Sequence, residues 1–311
     1  MQSKVNSFAA YWDRRMLRIL LLGVISGFPW VLIGSALTLW LKEDGLSRST
    51  IGWAGLIFGV YAINFLWAPL IDRIKIPVLT KIVGHRKAWI MSMQVLILAS
   101  LMIWSFVSTV DDLAIIVTFG LIIAISSASQ DITIDALRIE QIGKDESAAM
   151  AAGAATAVVG WWSGYKLGGL ITLVTADWIQ SLGHNNYWQI SFIIICSIVI
   201  LCNIGLFFIP ESGTDERILS QQKDQADIQN QIGVSGNFGR LLAWFTATII
   251  SPLFSFFKKN GVAIGLSILG FIFLFKIGEA FLGRMSILFY KEIGFSKSDI
   301  ALYSKGLGWI T

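Results

Sequence analysis

Apolar segments long enough to cross a lipid bilayer recur along this chain, and they restrict its fold more than any other feature. About 20 apolar residues suffice for one helical span, because a helix rises about 1.5 Å per residue. The segments are too long, and alternate too little between polar and apolar residues, to be strands of a membrane barrel. The sequence predicts an all-α membrane protein with seven spans, at roughly 16–41, 50–71, 88–107, 113–136, 148–173, 187–209 and 263–290.

The composition agrees with this architecture. Of the 311 residues, 55% are hydrophobic and only 14% are charged, against about 25% charged residues in soluble proteins. Two cysteines within one span and two histidines far apart in sequence indicate neither a disulfide framework nor a metal site. Zinc-protease, serine-hydrolase and P-loop motifs are missing from the sequence. We therefore predict that the protein is not an enzyme and uses no cofactor.

The basic residues predict the orientation in the membrane. Most of the 24 Lys and Arg residues lie in loops on the side of the N-terminus, and the positive-inside rule places that side in the cytoplasm. The same rule accounts for the basic excess of the chain. The sequence thus predicts a lipid bilayer as the surroundings and no nucleic-acid partner.

A repeat links the first span with the seventh. LWLKEDGLSRSTIG (39–52) aligns without gaps with LFYKEIGFSKSDIA (288–301), and seven of the fourteen positions are identical. Each copy ends one span and begins the next, so span seven restarts what span one began, after six helices. Two parallel six-helix halves joined by a cytoplasmic linker are the architecture of major facilitator transporters.

The repeat also predicts how the chain is divided. Residues 1–210 would form an N-terminal half of six transmembrane helices, and residues 263–311 would form helix 7 with the start of helix 8. Residues 211–262 would be a cytoplasmic linker, whose apolar second part is either an interfacial helix or a further span. Because span eight stops partway at Thr311, we expect the chain to be a gene fragment or a natural truncation.

Four stretches resemble the AmpG-like muropeptide permeases of the major facilitator superfamily: FLWAPLIDR (65–73), SASQDITIDA (127–136), GYKLGG (164–169) and LFKIGEAF (274–281). The resemblance implies a permease of the bacterial inner membrane that imports anhydromuropeptides from peptidoglycan by proton symport. Its partners would be a glycopeptide solute and protons, in an oligomeric state that the sequence does not specify. The alternatives are a permease for another bulky anion such as acetyl-CoA, an inactive fragment, a membrane enzyme, and a sensor or assembly subunit.

Ionisable residues within spans are candidate functional residues, because a central charge costs roughly 2.5–3.5 kcal/mol on insertion scales. Asp131 and Asp135 share one face of span four. In one interpretation the pair carries the transported proton, and its depth favours Asp131. In the other it is a latch that binds Arg73 or Arg86 when the cytoplasmic side closes, and depth favours Asp135. An ion pair between Asp135 and Arg138 within the helix is the structural alternative.

The loop between spans two and three supplies the remaining gating candidates. Asp72 and Arg73, followed by Gly84 and Arg86, resemble the loop pattern of major facilitators between helices two and three. A set of positive-inside anchors would give the same residues without a gating role.

Substrate recognition is predicted at lysines and aromatic rings. Lys166, Lys276 and Lys305 could bind the carboxylates of a muropeptide, and we expect Glu279 to pair with one of them, because an unpaired charge at that depth is costly. Lys166, Glu279 and Lys305 are predicted to share one layer in the outer half of the membrane. Helix packing is the alternative for each aromatic residue. The further candidates for substrate contact are Tyr61, Gln130, Trp161, Trp162 and Tyr165.

Overall fold

The computed structural model describes residues 9–109, 111–143, 145–211, 214–232 and 236–309. Every regular element in these ranges is helical, so the all-α prediction is confirmed for them. Residues 1–8 of the predicted N-terminal half and residues 310–311 of the predicted helix 8 lie outside the described residues. The principal helices are α1 Arg14–Glu43, α2 Arg48–Leu66, α3 His85–Trp104, α4 Leu113–Glu140, α5 Ser147–Ser181, α6 Tyr187–Phe207, α7 Thr214–Ile232, α8 Phe238–Asn260 and α9 Val262–Glu292.

Seven of the described helices are long and apolar enough to cross a membrane. Six of them, α1, α2, α3, α4, α6 and α9, coincide with predicted spans. The remaining one is α8, in the segment for which the sequence left an interfacial helix and a further span open. Predicted span five corresponds to α5, which is not among these seven, since glycine, alanine and serine lower its mean hydropathy. It nevertheless packs inside the bundle, against α1 and α6.

The closest helix packing in the bundle joins α1 to α5. Gly23 and Gly27 on α1 face Gly160 and Gly164 on α5, and each pair is spaced by four residues. A Cβ atom on Gly23 or Gly160 would lie only 2.6 or 2.5 Å from a backbone oxygen of the opposite helix. The absence of side chains therefore lets the two backbones touch, as in small-x-x-x-small contacts of membrane helices. We call these four residues the glycine seam.

The two copies of the repeat fold into the same turn. Gly45 and Gly294 occupy equivalent positions and have φ angles of +85° and +100°, which side-chain-bearing residues rarely adopt. Ser47 and Ser296 then cap the next helix, and each accepts the backbone N–H three residues further on. The glycine and serine that the two copies share are thus explained by the turn that they form. In both copies the Lys-Glu pair lies at the end of the helix before this turn.

An ion pair ties the start of α1 to the loop before α5. Arg15 Nη2 lies 2.7 Å from Glu146 Oε2. The Arg15 guanidinium, together with the backbone N–H of Gly143, lowers the pKa of Glu146 to about 2. The glutamate is therefore charged at every physiological pH, so the ion pair between Arg15 and Glu146 persists throughout that range.

Replacing Gly164 by alanine is expected to push α1 and α5 apart, because the added Cβ would enter the backbone of Val24. Overpacking of this kind costs roughly 1–3 kcal/mol, so the midpoint of thermal unfolding in detergent should fall by several degrees. Gly278→Ala is the matched control, since a Cβ at Gly278 on α9 would meet nothing within 4 Å. Equal midpoints for the two variants would contradict the glycine seam.

Candidate functional site

A cavity of about 470 Å³ lies between α1, α4 and α5, and Lys276 of α9 also lines it. Asp131 forms part of its wall, where Ser26 Oγ donates a hydrogen bond of 2.5 Å to Asp131 Oδ1. In the described part of the chain Asp131 has no ion-pair partner. The cavity therefore holds a half-buried carboxylate whose only described hydrogen-bond donor is a neutral hydroxyl. Ser26 carried no signal in the sequence, because serine is common in membrane helices.

Asp135 lines the same cavity but is engaged within its own helix. Its Oδ1 lies 3.1 Å from Arg138 Nη2, which is the structural alternative considered for this residue. Arg86 is buried and binds Asp72. It also lies 3.3 Å from Glu140. The predicted contact between an aspartate of α4 and the second loop is therefore not made in this conformation.

Arg73, the other predicted latch residue, lies elsewhere. It lines a smaller cavity of about 160 Å³ against α7, with Lys75 and Gln221 among its neighbours. The structure thus brings Asp72 and Arg86 together and leaves Arg73 on the other side of the loop, facing the linker helix.

Gln130 is fully buried and points away from the Asp131 cavity. Its amide donates to the Ile25 carbonyl at 3.2 Å and accepts from Gln94. Asn203 extends this row by donating to Gln94 Oε1 at 3.2 Å. The amides tie α1, α3, α4 and α6 together, because a buried polar group in a membrane helix needs a partner on a neighbouring helix. We therefore leave Gln130 out of the proposed substrate site.

Five rings from α1, α2 and α5 form an aromatic cluster, which we define as Trp30, Phe58, Tyr61, Trp161 and Tyr165. Trp30 is at its centre, with ring centroids 5.0 Å from Phe58, 4.7 Å from Tyr61 and 5.5 Å from Trp161. Trp161 also stacks on Tyr165 at 5.6 Å. Because Trp161 lines the Asp131 cavity as well, the cluster begins where the cavity ends.

Two predicted lysines border the aromatic cluster. Lys305 is 2% exposed, donates to Tyr165 Oη at 2.7 Å and holds its ammonium 3.9 Å from the ring centroid. Gly169 provides the space for it, since a Cβ there would lie 3.0 Å from the lysine side chain. Lys166 donates to the Ser304 carbonyl at 2.7 Å and lies 5.6 Å from the ring centroid of Trp162, which contacts Tyr165 of the cluster at 5.9 Å. Both lysines thus bind neutral oxygen atoms rather than carboxylates of the described chain.

Arg284 of α9 is a third cation at the cluster, and it was not among the candidates predicted from the sequence. It is 3% exposed and donates to Thr38 Oγ1 at 3.1 Å and to the Ile51 carbonyl at 3.2 Å. Its guanidinium lies 5.6 Å from the Phe58 ring centroid. Its position inside a span was the available signal, because such charges are rare and usually functional.

Glu279 pairs with Lys276 at 3.0 Å, one of the three lysines predicted for it. The side chains are 47% and 40% exposed, on the open flank of α9. Glu279 makes no ion pair with Lys166 or Lys305 in the described structure, so it does not connect the three residues that were predicted to share one layer. Among the residues that the structure describes, no group of His, Cys, Asp and Glu could hold a metal ion.

Comparisons with known proteins identify the family of the chain. The chain is 31% identical over 96% of its length to "Putative transporter AmpG 4" of Rickettsia felis, of which it covers 65%. It is 29% identical over 93% of its length to "Anhydromuropeptide permease" of Escherichia coli K12, of which it covers 51%. The chain therefore spans between about half and two thirds of the length of these relatives. Residues 19–310 match the family described as Major Facilitator Superfamily, and the chain belongs to that superfamily.

Proposed function

We propose that the protein is a proton-coupled permease for anhydromuropeptides in a bacterial cytoplasmic membrane, with the basic loops facing the cytoplasm. The observation that carries the proposal is that a carboxylate, aromatic rings and cations follow one another in adjoining parts of the bundle. A carboxylate cavity adjoins the aromatic cluster, and the cluster ends at three buried or half-buried cations, Lys166, Arg284 and Lys305. An anhydromuropeptide has sugar rings, amides and carboxylates, which are the groups that such surfaces bind.

The cations give the proposed solute its main support. Arg284 and Lys305 are almost fully buried, and both donate to neutral oxygen atoms. A buried charge without a countercharge is costly, so the carboxylates of a bound solute would stabilise the site. The aromatic rings add cation–π contacts, and their faces can cover the apolar faces of sugar rings. The name of the Escherichia coli relative supports an anhydromuropeptide as the solute.

Asp131 is the proposed proton carrier. Its carboxylate lies in the cavity, and its described partner is Ser26, a neutral group that can bind either protonation state. Asp135 is a weaker candidate because it is already paired with Arg138. It remains the gating candidate together with Asp72, Arg73 and Arg86.

Asp131→Asn is expected to lower proton-driven accumulation of anhydromuropeptide at least tenfold, because an amide cannot release a proton at physiological pH. Exchange of solute down its gradient should persist. Uptake into proteoliposomes with and without an imposed proton gradient measures both processes. Asp135→Asn, at the gating candidate, is the comparison variant: it should change the rate of uptake through gating but retain accumulation against the gradient. Gradient-driven accumulation by Asp131→Asn at the level of the unmodified protein would remove Asp131 from the proton pathway.

Lys305→Gln is expected to weaken anhydromuropeptide binding by roughly 10- to 100-fold, the loss for a hydrogen bond to a charged group. Isothermal titration calorimetry in detergent measures the dissociation constant. A muropeptide whose carboxylates are amidated should bind the variant and the unmodified protein alike. Lys258→Gln, on the exposed side of α8, is the control. An equal loss for the amidated solute would show that Lys305 supports the fold rather than the carboxylates.

A further inference from the structure

The ends of α1 and α9 are joined by ion pairs that cross between the two copies of the repeat. Lys42 Nζ lies 3.0 Å from Glu292, and Lys291 Nζ lies 2.7 Å from Glu43. In the alignment of the two copies Lys42 corresponds to Lys291, and Glu43 corresponds to Glu292. Each lysine therefore binds the glutamate of the opposite copy.

A second pair of contacts repeats the exchange at the start of the following helices. Arg48 Nη2 lies 2.5 Å from Glu292, and Lys297 Nζ lies 3.0 Å from Glu43. Arg48 and Lys297 are again equivalent positions of the repeat. Each glutamate thus holds two cations of the other copy. Reciprocal contacts of this kind are characteristic of two-fold symmetric interfaces between identical chains, and here they arise within one chain.

The arrangement has two arms, and each consists of one glutamate with its two cations. The first arm is Glu43 with Lys291 and Lys297, and the second is Glu292 with Lys42 and Arg48. The two arms differ in burial. In the first arm the side chains of Glu43 and Lys297 are 9% and 1% exposed. Glu43 also accepts hydrogen bonds from Tyr187 Oη and Trp188 Nε1, both at 3.1 Å. Lys297 Nζ in addition donates to Gln180 at 2.5 Å. The first arm is therefore a buried, fully bonded charge cluster, and removal of one partner would leave the others unpaired.

The second arm is closer to the surface. The Glu292 side chain is 18% exposed, and that of its partner Arg48 is 73% exposed. Exposed ion pairs contribute little, because water and salt screen them. We therefore expect the Glu43 arm to supply most of the attraction between the helix ends.

The position of the ion pairs relative to the cavity indicates what they do. Ser26, which binds Asp131 in the cavity, precedes Glu43 by seventeen residues of α1, or roughly 25 Å along a helix. The ion pairs hold the side of the bundle opposite to the basic loops. Alternating access requires each side of such a transporter to open in turn, so the ends of α1 and α9 must separate when solute enters from that side.

We propose that the Lys-Glu repeat is a reciprocal clasp that keeps the outer side of the protein shut, and that its opening admits the solute. The clasp comprises Lys42, Glu43, Arg48, Lys291, Glu292 and Lys297. The proposal rests on the proposed transport function for its direction, but the contacts can be tested without transport. Because each glutamate holds two cations, loss of both glutamates should open the clasp, and loss of Glu292 alone should have a small effect.

Distances between spin labels across the clasp test this proposal. Labels on Ser49→Cys and Ile293→Cys, both exposed positions, in a background without native cysteines, should report one short, closed distance. Adding Glu43→Gln with Glu292→Gln should produce a longer distance and raise the ratio of open to closed protein at least tenfold. Glu292→Gln alone should change the ratio less than threefold. Glu279→Gln, which breaks an ion pair of α9 outside the clasp, should leave it unchanged.

A closed distance in the doubly substituted protein, at the same ratio as without these substitutions, would overturn the clasp. If Glu43→Gln does not yield folded protein, Lys291→Gln replaces it, since Lys297 still neutralises Glu43 there, and the ratio should shift in the same direction by a smaller factor. Anhydromuropeptide uptake by the labelled protein that keeps both glutamates separates the two proposals. Opening of the clasp in the doubly substituted protein, without uptake by the protein that keeps both glutamates, would support the clasp and contradict the proposed solute. Uptake by the latter, with a clasp that the substitutions do not open, would contradict the clasp alone.

Discussion

Backbone contact between α1 and α5 determines where most of the functional side chains lie. The glycine seam brings the two helix axes so close that side chains flanking the glycines are directed to either side of it. Trp161 and Tyr165 each follow a seam glycine on α5, and Ser26 precedes one on α1. The Asp131 cavity and the aromatic cluster therefore adjoin each other because both are built along the same line of contact. A wider separation of α1 and α5 would disconnect the carboxylate from the rings.

The second organising constraint is the scarcity of partners for charge inside a membrane. The structure handles its buried charges in two ways. At the helix ends the charges pair with one another, as in Glu43 and Lys297. Near the aromatic cluster, Arg284 and Lys305 bind neutral oxygen atoms and ring faces and keep their positive charge uncompensated by any described carboxylate. The first arrangement is typical of a contact that holds helices together, and the second is typical of a site that receives an anion.

Much of the fold could be predicted from the sequence, because bilayer thickness fixes the length of a membrane span. The repeat was also visible, yet nothing in it indicated that its copies face each other. That contact joins residues about 250 positions apart, such as Lys42 and Glu292. Gln130 and Trp30 show the same limit for the site. Sequence gives the depth of a side chain, but the side of the helix that faces the cavity depends on tertiary packing.

We infer that the Asp131 cavity opens toward the side of the basic loops, because its lining residues Asp135, Arg138 and Ala154 lie near the end of α4 and the start of α5 on that side. The clasp closes the opposite side. Ala154 is exposed and lines this cavity, whereas Ser35 of α1 is fully buried. The decisive measurement is the labelling rate of Ala154→Cys by a membrane-impermeant maleimide, in sealed vesicles of both orientations and a background without native cysteines. We expect labelling roughly tenfold faster from the side of the basic loops, and no labelling of Ser35→Cys from either side, because thiol reactivity requires access. Equal or faster labelling of Ala154→Cys from the opposite side would contradict it.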